Sequence, residues 1–244
     1  MRILTALLLW LGVTSALAGS PFNETFAQAQ VAYDAGHYAE ASLLYEELVS
    51  NGVKNVEVQY NLANALFKNG DLPSAVLHYR QAWHSAPRDP DIAANLHFAL
   101  SAAGATEPTL GTLEKLFTSL SKTEWTLLAI AAYLILILLQ ILGRLIRPVR
   151  HILIKTSLLP ALLILLSAGG WWQWKQLQTL PEWVVIKSDA TTLFGPVEGS
   201  TAHYKVPLAA LVRQRSIDSK GWIEIEYDGK KGWLKQNYIQ RVSP

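Results

Sequence analysis

The sequence contains no cysteine, and this absence excludes several kinds of chemistry at once. None of its 244 residues is cysteine. Disulfide bonds, thiol catalysis, cysteine-based zinc sites and lipid attachment at a cysteine are therefore excluded. If the chain is exported, packing alone must stabilise its domains.

A large excess of charge of either sign is also missing. The formal net charge is +2, and charged residues make up 16% of the chain. A charge this small creates no strong positive field, so we expect no nucleic-acid partner. Hydrophobic residues reach 50% of the chain, and the mean hydropathy is +0.18. These values are high for a soluble protein, and they direct attention to long apolar runs.

Known catalytic patterns are missing as well. The chain has no P-loop, no G-x-S-x-G motif and no dinucleotide-binding fingerprint. We therefore predict a protein that is not an enzyme, with no catalytic residue, no metal and no cofactor. The histidines follow no metal-binding spacing: His37, His78, His84, His97, His151 and His203.

The N-terminus has the pattern of a secretory signal. Arg2 precedes an apolar run over residues 3–16, and Ala16-Leu17-Ala18 matches a small-x-small cleavage site. The alternative is an uncleaved anchor, but the run is short for a membrane span. We predict a signal peptide over residues 1–18, so that the mature chain begins outside the cytoplasm.

A 34-residue repeat follows the signal. Such a period, combined with a helix–turn–helix pattern, resembles tetratricopeptide repeats. Each repeated glycine is expected to end a helix in the left-handed conformation. Residues 22–104 are therefore predicted to form two repeats and a terminal half repeat. The residues that recur in phase are Gly36, Gly70 and Gly104, then Ala41 and Ala75, then Tyr45 and Tyr79.

The inner face of this array is the first candidate binding surface. Asparagine side chains there can bond both the donors and the acceptors of an extended peptide backbone. The alternative is a solvated, partly structural helix face. The carboxylate clamp known in the tetratricopeptide family needs several basic groups, and only Lys68 is present here. The predicted groove residues are Tyr60, Asn61, Asn64, Phe67, Lys68 and Asn95.

Two apolar runs predict a membrane hairpin. Residues 125–143 and 156–174 each contain 19 residues without a charge. Each run, as a helix, is about 28 Å long, close to the hydrocarbon thickness of a bilayer. The alternative is a pair of buried core helices. The segment 105–121 before them carries an apolar stripe that either caps the repeats or lies on the membrane. That stripe comprises Leu110, Leu113, Leu116, Phe117 and Leu120.

The connection over residues 144–155 predicts the orientation of the hairpin. It holds four cations and no acid, and such loops stay in the cytoplasm. Both ends of the mature chain would then lie outside the cytoplasm, in agreement with the predicted signal peptide. We predict a bacterial inner-membrane protein with two spans in contact with lipid. The four cations are Arg144, Arg147, Arg150 and Lys155.

Residues 181–244 alternate like short strands and predict a small all-β barrel. Asp228-Gly229 predicts a tight hairpin turn. The run from Gly221 to Ile239 is similar to the C-terminal half of bacterial SH3-like domains. Three aromatic residues would either bind peptide or cell-wall material or fill the core. They are Trp222, Trp233 and Tyr238.

The order of these parts resembles the BatE proteins of bacterial aerotolerance operons. That resemblance implies partnership with membrane-anchored von Willebrand A-domain proteins and, indirectly, a MoxR-type ATPase. It also implies a role in tolerance of oxygen or envelope stress. We predict a membrane-anchored adaptor that holds partner proteins outside the cytoplasm. The alternative is a regulatory protein that senses cell-wall fragments or peptides.

Overall fold

The computed structural model describes residues 21–107, 111–179 and 182–242. The predicted signal peptide, Leu110 and Pro181 lie outside these described residues. The chain divides into two compact units, Met1–Asp71 and Leu72–Pro244. Each unit is described by itself.

The described part of the first unit, residues 21–71, contains three helices: α1 (Pro21–Asp34), α2 (Tyr38–Ser50) and α3 (Val56–Lys68). The predicted glycine caps are confirmed, because Gly36 and Gly70 have φ angles of +79° and +87°. An L side chain would be strained in this conformation, which glycine adopts freely. Small and aliphatic side chains let the helices approach closely. The buried residues include Ala29, Ala41, Tyr45, Leu48, Val58 and Leu62.

The second unit opens with α4 (Leu72–Ser85) and α5 (Pro90–Ala102). Asp89 caps α5, because its carboxylate accepts the backbone N–H groups of Asp91 and Ile92 at 3.0 and 3.2 Å. Pro90 occupies the first turn, where its missing N–H is not needed. The predicted terminal half repeat corresponds to the single helix α5.

A helical hairpin follows. After the short helix α6 (Thr112–Thr118) come α7 (Lys122–Leu145), a 3₁₀ turn (Arg147–Val149), α8 (Arg150–Thr156) and α9 (Leu158–Thr179). A capping box begins α7, with Ser121 and Glu124 bonded reciprocally at 2.9 and 3.3 Å. The connection between the apolar runs is itself mostly helical, where the sequence suggested only a loop.

Close packing joins α6, α7 and α9. A Cβ atom at Gly170 would lie 2.3 Å from the Trp125 ring, so only glycine lets the two helices approach there. The Trp125 indole donates to the carbonyl of Phe117 at 2.8 Å, and the Phe117 ring lies against Gly169. The helical part of the 105–121 segment therefore packs against the hairpin.

The C-terminal part is a seven-stranded antiparallel sheet with the order β3-β2-β6-β5-β4-β1-β7. The pairings of the described strands begin at β3 and end at β7, so the predicted barrel does not close into a continuous ladder. The strands are β1 (Glu182–Val185), β2 (Thr191–Leu193), β3 (Ala202–Lys205), β4 (Leu211–Ile217), β5 (Trp222–Tyr227), β6 (Lys230–Lys235) and β7 (Ile239–Arg241).

Local chemistry explains the central hairpin of this sheet. Asp228 and Gly229 have φ angles of +50° and +71°, as the predicted two-residue turn between β5 and β6 requires. Ile223 lies opposite Leu234 in the ladder, and both are buried. Ala209 has a φ of +60°, so it takes the conformation usually given to a turn glycine.

Candidate functional site

A pocket of about 210 Å³ lies within the first unit and is the candidate binding site. All three described helices of that unit contribute to it. Its lining is polar and aromatic, with one carboxylate. The lining residues are Gln30, Tyr33 and Asp34 from α1, Tyr45 from α2, and Asn61 and Asn64 from α3.

Tyr45 forms the buried wall of the pocket, with 1% of its surface exposed. Its ring meets that of Phe26 edge to face, with centroids 5.7 Å apart. Burial raises the pKa of Tyr45 to about 12, helped by the carboxylates of Asp34 and Glu57 and opposed by a hydrogen bond with Asn61. The phenol therefore stays neutral, and it holds Asn61 in place.

Tyr33 and Asp34 form the second side. The Tyr33 ring is half-buried and packs edge to face on Tyr38, with centroids 5.2 Å apart. Burial raises the pKa of Tyr33, and the neighbouring Tyr38, Tyr60 and Asp34 add to the shift. The Asp34 side chain is exposed at the end of α1. This side of the pocket combines an aromatic face with a negative charge.

The predicted groove residues separate into two groups. Asn61 and Asn64 line the pocket, and Tyr60 lies close enough to influence Tyr33. Lys68 is exposed in the last turn of α3, and Phe67 beside it is half-buried; neither lines the pocket. Asn95 lies on α5 in the other unit, half-buried.

Sequence reasoning missed the part of the lining that comes from α1 and α2. These residues are Gln30, Tyr33, Asp34 and Tyr45. Tyr45 was identified only as a residue that recurs in the repeat. The signal that could have revealed them is the concentration of tyrosine in the first repeat.

The three aromatic residues of the sheet have different environments. Trp222 is buried, with Lys235 above its ring at 5.5 Å from the centroid. Trp233 is half-buried on the same face of the neighbouring strand, opposite Glu224. Tyr238 is half-buried, and the Lys187 ammonium group lies 4.7 Å from its ring centroid. These two half-buried rings are the more accessible candidates for binding.

A buried ion pair connects α4 to the sheet within the second unit. The Arg80 guanidinium donates to both carboxylate oxygens of Glu182 in β1, at 2.6 and 2.8 Å. The two side chains are only 3% and 4% exposed. Arg80 also stacks on Trp83, with its central carbon 4.1 Å from the ring centroid. This bidentate ion pair holds β1 against α4.

His84 completes this cluster. Its Nε2 lies 3.8 Å from Glu182, and its ring meets that of Trp174 edge to face. Burial, with help from the Arg80 charge, lowers the pKa of His84 to about 4, although Glu182 opposes the shift. Burial alone would raise the pKa of Glu182, but Arg80, then His84 and Arg213, outweigh it and lower the pKa. His84 is thus neutral and Glu182 ionised at neutral pH.

The four cations of the connection lie together in sequence at one end of the hairpin. Arg144 lies in the last turn of α7, Arg147 opens the 3₁₀ turn, and Arg150 and Lys155 lie on α8. The side chains of Arg144, Arg150 and Lys155 are exposed. Among residues 21–107, 111–179 and 182–242, no group of three or more acids and histidines could hold a metal ion.

Comparison with known proteins agrees with the repeat pattern. A family model described as a tetratricopeptide repeat matches residues 26–90. No curated protein matches the chain significantly. The helical region over residues 26–90 therefore fits a tetratricopeptide repeat, a fold that typically serves protein–protein interaction.

Proposed function

We propose that this protein is a membrane-anchored adaptor that holds partner proteins outside the cytoplasm. The observation that carries the proposal is the tetratricopeptide match over residues 26–90, combined with the pocket on its first three helices. Such repeats present a concave face to a partner segment. In this pocket, amide, phenol and carboxylate groups are available to an extended peptide.

The helical hairpin would be the anchor. Two segments are long and apolar enough to cross a membrane, Lys122–Leu145 and Arg150–Gln176. A core helix of a soluble protein would bury such a surface, but these helices expose it: Leu138 is 55% exposed and Leu165 is 69% exposed. Lipid is the solvent that favours this exposure. Other exposed apolar side chains include Leu127, Leu134, Ile141, Leu158 and Leu162.

The orientation follows from charge. The exposed cations of the connection over residues 144–155, Arg144, Arg150 and Lys155, favour the cytoplasm for that connection. In this arrangement the repeats and the sheet share the extracytoplasmic side of the inner membrane. Anchoring on one membrane raises the effective concentration of both modules, so that weak contacts can suffice.

The sheet would hold a second partner. We interpret it as an SH3-like module whose half-buried Trp233 and Tyr238 contact a protein segment or the cell wall. The order of parts supports a BatE-like role in aerotolerance or envelope stress. The partners would then be membrane-anchored von Willebrand A-domain proteins and, indirectly, a MoxR-type ATPase.

Crosslinking in native membranes tests the adaptor function. Wild-type protein is compared with a variant carrying Asn61→Ala and Asn64→Ala, which removes two lining amides. The matched control carries Asn51→Ala and Asn69→Ala, two helix-end asparagines outside the pocket. We expect the first variant to lose at least three-quarters of the partner crosslinks and the control to retain them. Equal capture by all three proteins would show that this pocket holds no partner.

A further inference from the structure

The first unit is strongly acidic, although the whole chain is not. Its described part, residues 21–71, contains two lysines and seven carboxylates, a formal net charge of −5, whereas the entire chain carries +2. The field around the pocket therefore favours a cationic ligand. The acidic residues are Glu24, Asp34, Glu40, Glu46, Glu47, Glu57 and Asp71, and the lysines are Lys54 and Lys68.

The pocket lining has the chemistry that recognises a cation. Tyr33 and Tyr45 supply aromatic rings, and a cation is attracted to the face of such a ring. The Asp34 carboxylate lies at the C-terminal end of α1, the negative end of the helix dipole. Gln30, Asn61 and Asn64 add side-chain oxygens, and none of the six lining residues is lysine or arginine.

The pocket is also large enough for a cationic side chain. Its volume of about 210 Å³ exceeds the roughly 150 Å³ of an engineered cavity that holds benzene. A guanidinium group is flat and smaller than a benzene ring, and an ammonium group on an alkyl chain is narrower still. Both can enter with part of their aliphatic stem, which would lie against the tyrosine rings.

We propose that this pocket binds the side chain of an arginine or lysine from an extended partner segment. The proposal rests on the adaptor function and specifies the ligand chemistry of its repeat module. Asp34 pairs with the cation, Tyr33 packs on its stem above the buried Tyr45, and the amides of Asn61 and Asn64 bond the flanking backbone. This selectivity is opposite in charge to a clamp for a C-terminal carboxylate.

Peptide binding to the full chain in detergent micelles tests this assignment. The probes are fluorescent nonapeptide pools with blocked C-termini and random uncharged flanks, which differ only in a central arginine, lysine, citrulline or glutamate. Citrulline preserves the shape of arginine without its charge. We expect fluorescence anisotropy to show the arginine and lysine pools binding at least tenfold more tightly than the citrulline pool.

Substitutions in and outside the lining test where the cation binds. Asp34→Asn should weaken the arginine pool about tenfold and leave the citrulline pool unchanged. Glu46→Gln is the matched control, since it removes one exposed carboxylate from α2 outside the lining. Tyr33→Leu should weaken the arginine pool, whereas Tyr33→Phe keeps the ring and should restore most of the binding.

The possible failures are distinguishable. Equal binding of all pools, lost when Asn61 and Asn64 are changed to alanine, would overturn the cation assignment and leave the adaptor groove standing. An equal loss in Asp34→Asn and Glu46→Gln would show a diffuse acidic surface and overturn the site. Binding of no pool up to millimolar concentration would overturn the cation assignment and the groove together.

Discussion

Arg80 of α4 and Glu182 of β1 form a buried ion pair within the second unit. The two side chains are almost fully buried, and the contact is bidentate. Breaking such a pair costs more than its formation contributes, because one charge is left buried without compensation. The cluster therefore makes the packing of β1 against α4 sensitive to single substitutions.

Glu182→Gln should destabilise the second unit by about 3–5 kcal/mol, since the Arg80 charge loses its counterion. Thermal unfolding followed by tryptophan fluorescence measures this, because Trp83, Trp174 and Trp183 lie near the pair or in the same strand. Glu198→Gln is the control, an exposed carboxylate paired with Lys235. It should leave the midpoint unchanged, and an equal shift in both variants would contradict the account.

His84 makes the stability of this unit depend on pH. Its pKa is about 4 in the folded chain and 6.5 in the unfolded chain. Between these values the unfolded chain binds the extra proton, so stability is full above pH 6.5 and falls as pH decreases toward 4. The loss is up to about 3 kcal/mol. Glu182, whose pKa is also lowered, adds a loss in the same direction at lower pH.

The pH dependence can be assigned to His84 by substitution. Chemical unfolding between pH 7 and 4.5 should show a flatter profile for His84→Leu than for wild type. His97→Leu, at an exposed position, should keep the wild-type slope. A His84→Leu profile as steep as wild type would mean that another group is responsible.

At the scale of elements, the closest approach in the hairpin occurs at Gly170. Gly170→Ala places a methyl group within 2.3 Å of the Trp125 ring and should destabilise the α7–α9 contact by about 1–3 kcal/mol. Gly143→Ala is the matched control, because its added Cβ meets Leu153 at an ordinary 3.8 Å. Thermal unfolding in detergent measures both, and a Gly170→Ala protein as stable as the control would contradict the packing described.

The elements that sequence predicted well obey local rules. Glycines at helix ends and the Asp228–Gly229 turn each depend on residues close in the chain. Their signals lie in spacing and residue type, which the sequence displays directly. Periodicity likewise predicted the repeat helices and the two apolar segments.

What sequence could not predict depends on distant residues. Arg80 and Glu182 are 102 positions apart, and neither carries a periodic signal. The pocket joins side chains from three helices, and its α1 residues lie outside the positions that define the repeat. The edge of the sheet also depends on distant residues, because β7 pairs with β1 and these strands lie near opposite ends of the C-terminal module in sequence. Such features follow from tertiary packing.

In the whole molecule, a helical hairpin lies in the chain between the repeat helices and the sheet. We propose that this hairpin spans the inner membrane and leaves the repeats and the sheet outside the cytoplasm. The absence of cysteine allows a direct test, because any introduced thiol is the only one in the chain.

Labelling of single cysteines in intact bacterial spheroplasts makes that test. Ser50→Cys reports on the repeats, His151→Cys on the connection and Ser219→Cys on the sheet, all at exposed positions. We predict that a membrane-impermeant maleimide labels positions 50 and 219 in intact spheroplasts and position 151 only after permeabilisation. Two results would contradict the two-span anchor. One is labelling of position 50 but not of position 219 before permeabilisation, and the other is equal labelling of all three positions before permeabilisation.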